Sequence, residues 1–268
     1  MISLLAAAVA AAPPAAACPE LVTPDALVCR ALDAQKAGNN EAAAQGFEEA
    51  AKASLDKDPK TARMYAAAGN LWIAANQPGK AALDLDKALS LPGLEAEQRG
   101  EALLDRARAA EAQNDTKTAR AKLNEAAQTI SDDPFYWYFS AALAIREGDA
   151  TTAKTAIGKA LTLAPSDPTI LFEAGHVADF TGDDDQARSY WTRAAASDPN
   201  GPVGKAAAKA IEMLGVTPTV KAEAPPPAKT QPRSLSIVVT TRTFWNGELP
   251  PEEPQSSQSS PSRAPTEK

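Results

Sequence analysis

Residues 171–199, LFEAGHVADFTGDDDQARSYWTRAAASDP, decide how the rest of the chain is read. Gly175, Gly182, Ala187, Trp191 and Pro199 stand there at intervals that fit one helical hairpin with an acidic loop, or one unit of a repeat. The same skeleton recurs upstream. With Gly182 taken as a turn residue, Gly38, Asn76, Asn114 and Gly148 precede it at spacings of 38, 38, 34 and 34. Gly and Asn are the residues that most readily take the left-handed conformation that ends a helix.

Other columns keep the same register. Five residues after each turn come Ala43, Ala81, Ala119, Ala153 and Ala187, and twelve after come Ala50, Ala88, Ala126, Ala160 and Ala194. Nine after come Phe47, Leu85, Leu123, Ile157 and Trp191. Seven before come Ala31, Gly69, Ala107, Ala141 and Gly175, and eleven before come Leu27, Tyr65, Leu103, Trp137 and Leu171. Each unit therefore reads as two antiparallel helices that approach closely at the small residues and fill the flanking space with the large ones. Pro59, Pro92, Pro134, Pro165 and Pro199 are expected at or just after the end of each second helix, as stops. The four extra residues in the first two intervals are about one helical turn, which preserves the buried face.

This pattern resembles the tetratricopeptide repeat family, whose signature has a 34-residue period, an aromatic-Leu-Gly-aromatic first helix, then Ala, an aromatic and a closing Pro. The resemblance covers residues 25–199 in five units and is weakest around Gly38 and Asn114, where Arg30 and Arg106 stand at positions that are often Leu in the family. It implies an all-α, right-handed superhelical solenoid of five hairpins. After Pro199, GPVGKAAAKAIEMLG reads as a capping helix, with Ala207, Ile211 and Leu214 on one side and Lys205, Lys209 and Glu212 toward another. Repeat stacks need such a polar-backed cap.

The expected domain organisation is a signal peptide at 1–17, a helical repeat domain at 18–215 and a Pro/Ser-rich disordered tail at 216–268. The start, MISLLAAAVAAAPPAAACPE, has an uncharged run of the length of a secretory core and a small-x-small cleavage pattern at Ala15–Ala17, although it lacks a basic residue. An Ala-rich cytosolic start is the other reading. The tail holds ten of the 22 prolines, and within it SLSIVVTTRTFW, residues 234–245, is rich in β-formers and reads as a disordered segment or a short docking strand. Docked in cis, that segment would compete with an outside ligand for the groove of the solenoid.

The two cysteines, Cys18 and Cys29, leave three readings: a local disulfide in an exported chain, a lipid anchor on Cys18 directly after AAA, or two unrelated thiols. A lipobox usually has Leu three residues before its Cys, where this chain has Ala15. Nothing after residue 20 is apolar enough for a transmembrane helix.

Net charge of −7 with no basic block argues against nucleic-acid binding. The run GDDDQA lacks the alternating carboxylates and closing Glu of a calcium loop, so Asp183–Asp185 read as complements to a helix N-terminus. His176 is the single histidine and cannot build a zinc set with two distant cysteines. No nucleophile motif, phosphate-binding loop or dinucleotide fingerprint is present, and neither a cofactor nor a metal is expected.

What remains are surfaces. The resemblance implies that the first helices line a concave groove, with Glu101, Leu104, Arg108, Glu111 and Ala112 in the middle unit. The last two units add Phe135, Tyr138, Ala142, Ile145 and Arg146, then Thr169, Phe172, His176, Asp179 and Phe180. The candidate peptide-binding residues are Arg108, Phe135, Tyr138, Arg146, Phe172, His176 and Phe180; the competing reading places some of these rings in the core. The carboxylate clamp of some family members is not supported, because Asn70 fits one clamp position but Ala66 stands where the clamp Lys would be. The expectation is a non-catalytic scaffold outside the cytoplasm of a bacterium, periplasmic or secreted, that binds a protein or peptide segment. The alternative is an assembly factor tethered to a membrane through Cys18.

Overall fold

The computed structural model describes residues 18–214. The expected signal peptide, the tail and its segment 234–245 lie outside the described residues. Those residues form eleven α-helices and no strand. Ten of them pair in chain order: α1 (Pro24–Lys36) with α2 (Asn40–Ala53), α3 (Pro59–Ala74) with α4 (Pro78–Ser90), α5 (Ala96–Ala112) with α6 (Thr116–Ile130), α7 (Pro134–Glu147) with α8 (Ala150–Leu163), and α9 (Pro168–Phe180) with α10 (Asp184–Ser197). The last helix, α11 (Pro202–Leu214), packs on α9 and α10 and closes the stack with Val203, Gly204 and Ala207.

All five turn residues take the left-handed conformation: Gly38 at φ 76°, Asn76 at 56°, Asn114 at 63°, Gly148 at 75° and Gly182 at 78°. The reversal lets the next backbone N–H reach the carbonyl five residues back. Asn39 donates to Ala34, Gln77 to Trp72, Asp115 to Ala110, Asp149 to Ala144 and Asp183 to Ala178, at 2.8–2.9 Å. Four of those donors then cap the following helix, because the side chains of Asn39, Asp115, Asp149 and Asp183 accept its early N–H groups. Two residues thus end one helix and start the next. Asp183 caps, and Asp184 and Asp185 sit in the first turn of α10, as read from the sequence.

Between the paired helices the small columns are sealed. Every alanine five and twelve residues after a turn is 0% exposed. A Cβ on Gly69 would lie 2.4 Å from Leu85 Cγ, and one on Gly175 would lie 2.2 Å from Trp191 Nε1. The large residue nine after the turn therefore occupies the space above the glycine seven before it. In the first unit the contact is inverted, with Gly46 facing Ala31.

The proline reading needs one correction. Pro92, Pro165 and Pro199 do follow the ends of α4, α8 and α10, but Pro59 and Pro134 are the first residues of α3 and α7. Each follows an aspartate whose side chain caps the helix, Asp58 or Asp133. A missing N–H costs nothing at that position, and the fixed φ suits it. The extra residues of the first two intervals go mainly into the first helices, since α3 and α5 have 16 and 17 residues against 14 and 13 in α7 and α9.

The two arginines that depart from the family pattern have local partners. Arg30 donates to the carbonyls of Pro19 and Leu21 and holds the entering chain against α1. Arg106 Nε lies 2.8 Å from Asp86. The entering chain is also fixed covalently by a disulfide between Cys18 and Cys29, whose Cα atoms are 5.7 Å apart. That bond supports the disulfide reading and gives no support to the lipid anchor or to two unrelated thiols, because a bridged Cys18 sulfur has no valence left for a thioether. No helix among the described residues is long and apolar enough to cross a membrane.

Two measurements check this architecture. Replacing Ala153, which has no exposed surface, by Phe should force α7 and α8 apart and cost about 1–3 kcal/mol or more; a thermal melt unchanged by this substitution would contradict the register. Non-reducing peptide mapping should recover Cys18 and Cys29 cross-linked, and Cys29→Ser should lower stability by up to about 3 kcal/mol. Two free thiols would contradict the pairing.

Candidate functional site

The first helices pack on one another along the stack, α3 on α5, α5 on α7 and α7 on α9, whereas the second helices mainly contact their own partner and the next first helix. The first helices therefore form the inner layer, and the side chains they present inward are the candidate site.

Tyr138 and Phe172 occupy equivalent places in α7 and α9, ten residues before the turn, and both are half-buried. The same place holds Leu104 in α5 and Ala66 in α3, both buried, so the aromatic face belongs to the last two units. Tyr138 meets Phe135 edge-on at 6.2 Å, and Phe172 meets His176 edge-on at 4.5 Å. His176 in turn meets the ring of Trp191 at 5.4 Å. Phe180 is 40% exposed at the end of α9. These rings are partly core, because Tyr138 packs against the apolar clusters of α7 and its neighbours and Phe172 against that of α10 and α11.

The two candidate arginines are engaged within the protein. Arg108 Nη1 donates to Asp105 Oδ1 at 2.7 Å, and Asn70 Nδ2 of the preceding unit donates to Asp105 Oδ2 at 2.8 Å. Arg146 pairs with Glu111 of the preceding unit and donates to Asn114 Oδ1 at 3.0 Å. Asp105 and Glu111 are buried, at 5% and 3% exposure. A buried carboxylate requires such partners. Here the partners span adjacent units, so this ladder fixes the relative placement of α3, α5 and α7. Asn70, considered above as a clamp residue, is a member of it.

One member of the inner layer was not anticipated. Glu173, in α9, is 2% exposed, and its Oε1 is buried with no hydrogen-bond partner. Burial, reinforced by the nearby charge of Glu111, pushes its carboxyl up to about 8. Tyr138 lies within its field, and burial raises the tyrosine hydroxyl as well. A sequence signal existed: Glu173 and Asp105 both stand nine residues before their turns, where the other units have Cys29, Ala67 and Phe139. On the outer helix α4, Asp84 is a second raised carboxyl, pushed up to about 7 by burial and Glu48, while Trp72 Nε1 donates to it at 3.1 Å.

Cys18, Cys29 and Asp33 are the one trio of metal-type donors that converge among the described residues, and both sulfurs are consumed by the disulfide.

No protein-family model matches the sequence, and no curated protein sequence matches it. Solved structures do match. PilW, a widely conserved type IV pilus biogenesis factor, superposes with a TM-score of 0.57 at 19% identity, over 68% of this chain and 81% of its own. BtubC from P. vanneervenii gives 0.54 at 20% identity, over 77% and 87%. A thermophilic TPR protein of Thermus thermophilus gives 0.53 at 16% identity, over 70% and 99%. The described residues have the tetratricopeptide-repeat fold.

The raised carboxyls set the pH response of stability. The folded chain binds the protons of Asp84 and Glu173 more tightly than the unfolded chain does, so the stability they contribute is present below about pH 4 and is lost as pH rises toward 8. The melting temperature should fall by roughly 5 °C between pH 5.5 and 8. Asp84→Asn and Glu173→Gln should each flatten that slope, and a slope left unchanged from the parent chain in both variants would remove these groups as its origin.

Proposed function

We propose that this protein is a non-catalytic scaffold that holds an extended segment of another polypeptide against its inner helices α5, α7 and α9, outside the cytoplasm. The observation that carries this reading is the pair Tyr138 and Phe172, set one unit apart at equivalent places on adjacent inner helices, with Phe135, His176 and Phe180 extending the same face. Half-buried rings of this kind are rigid anchors that lose little entropy on binding. Repetition at the unit spacing suits an extended chain that seats successive side chains. The Asn70–Asp105–Arg108 and Glu111–Arg146–Asn114 groups serve as the rigid floor beside them, and Arg108 and Arg146 orient a ligand through the donors their partners leave over. The fold itself supports a scaffold, since stacked helical units present one long continuous surface to a partner. The disulfide supports a location outside the reducing cytoplasm, periplasmic or secreted.

The test places a photo-crosslinking residue at Phe180 on the inner face and, as a control, at Lys154 on α8. Crosslinks to a discrete partner are expected from Phe180 and not from Lys154. Adding Phe172→Ala should reduce the yield roughly tenfold while circular dichroism stays unchanged. Equal yields from both faces, or a yield that Phe172→Ala leaves intact, would refute the groove.

A further inference from the structure

The stack contains its own template for the unsatisfied carboxylate. The place nine residues before the turn is acidic twice, at Asp105 and at Glu173. In the third unit both oxygens of Asp105 are satisfied, one by Asn70 of the preceding unit at 2.8 Å and one by Arg108 of its own unit at 2.7 Å. Asn70 stands six before its turn. In the fourth unit that place is Ala142, and in the fifth unit the place of Arg108 is taken by His176. The inter-unit donor that serves Asp105 is thus replaced, two units on, by a methyl group. Glu173 Oε1 is buried and unpartnered.

Leaving a buried carboxyl oxygen unsatisfied costs about 1–3 kcal/mol or more, whereas a polar-to-apolar change of both partners would cost little. The chain has changed only one. It keeps an acid that an apolar residue could replace, and the acid stands in α9 next in sequence to Phe172, with Tyr138 of α7 in its field. Glu111 and Tyr138 lie within its field. What Oε1 lacks is a donor, and a positive one would hold the group as a carboxylate.

We propose that Glu173 is the seat for a basic side chain, the guanidinium or ammonium of an Arg or Lys in a separate polypeptide bound along α7 and α9, which supplies over Ala142 the donor that Asn70 supplies to Asp105. This rests on the groove reading above and adds to it the chemistry of one ligand residue. The aliphatic stem of such a side chain lies against the rings of Tyr138 and Phe172, as long cationic side chains do on apolar surfaces. The net charge of −7 draws basic segments toward the stack. The proton held by the empty carboxyl leaves to solvent when the cation arrives, so the pair that forms is carboxylate and cation.

The experiment titrates the ¹⁵N-labelled full chain with propylguanidinium and, separately, with its neutral analogue propylurea. Propylguanidinium should shift the amides of Ala142 and Glu173 saturably and bind at least about tenfold more tightly than propylurea. Glu173→Gln should abolish that preference while raising the melting temperature at pH 8, which shows that the variant is folded. Ala142→Asn should abolish it by supplying the donor internally. Absence of saturable binding, equal binding of the two probes, or a preference that survives Glu173→Gln overturns the proposal. A preference that emerges only in an Arg242→Ala chain assigns the seat to the chain's own tail and overturns an outside occupant. Should the preference be absent while Phe172→Ala still abolishes crosslinking from Phe180, the groove stands and only its cation seat falls.

Discussion

The close approach of two helices inside each hairpin is the contact on which the rest of the structure depends. It is made by a small residue on the first helix and a large one on the second, most tightly where Trp191 lies over Gly175 and Leu85 over Gly69. A single methyl at either glycine would have to displace a fully buried side chain. Alanine columns seal the same seam on both sides, which explains why a chain so poor in aromatics can still be close-packed. Fixed hairpins then stack face to face, and the inner helices come near enough for polar groups of one unit to reach the next.

That proximity is also the source of the functional asymmetry. Where units two to four meet, Asn70, Asp105, Arg108, Glu111 and Arg146 satisfy one another, and the inner face there is a settled polar surface. Toward the C-terminal end the ladder stops at Ala142, and the aromatic positions begin. A scaffold with uniform units would bind anywhere along its length; this one carries the aromatic rings of its inner face in its last two units.

Much of this was legible in the sequence, because helix reversal and close packing each demand particular residues at particular spacings. The five left-handed turns, the sealed alanine columns and the cap on α10 follow from residue type alone. Pro59 and Pro134 were misplaced because a proline stops one helix and starts another equally well, and only the preceding Asp58 and Asp133 tell the cases apart. The candidate arginines were located on the inner face, but their ion pairs depend on inter-unit distances that no spacing along the chain reports. Glu173 was missed for a related reason. An acid on a buried face looks like any exposed helix acid until its partners are counted, and the count needs the neighbouring unit. The pairing of Cys18 with Cys29 was one of three readings, and the geometry at the entrance to α1 selects it.

The disulfide carries a consequence for how the chain is made. It joins residues eleven apart, and the arm it secures is also held to α1 by the Arg30 side chain. Nothing downstream is needed to bring the two sulfurs together, and with two cysteines in the whole sequence no wrong intramolecular pairing exists. The covalent step can therefore be complete while most of the polypeptide is still emerging. Each unit packs mainly on its neighbours in the chain, so contacts remain short in sequence separation, a topology that favours rapid folding. Order along the chain and order in the stack coincide from α1 to α11.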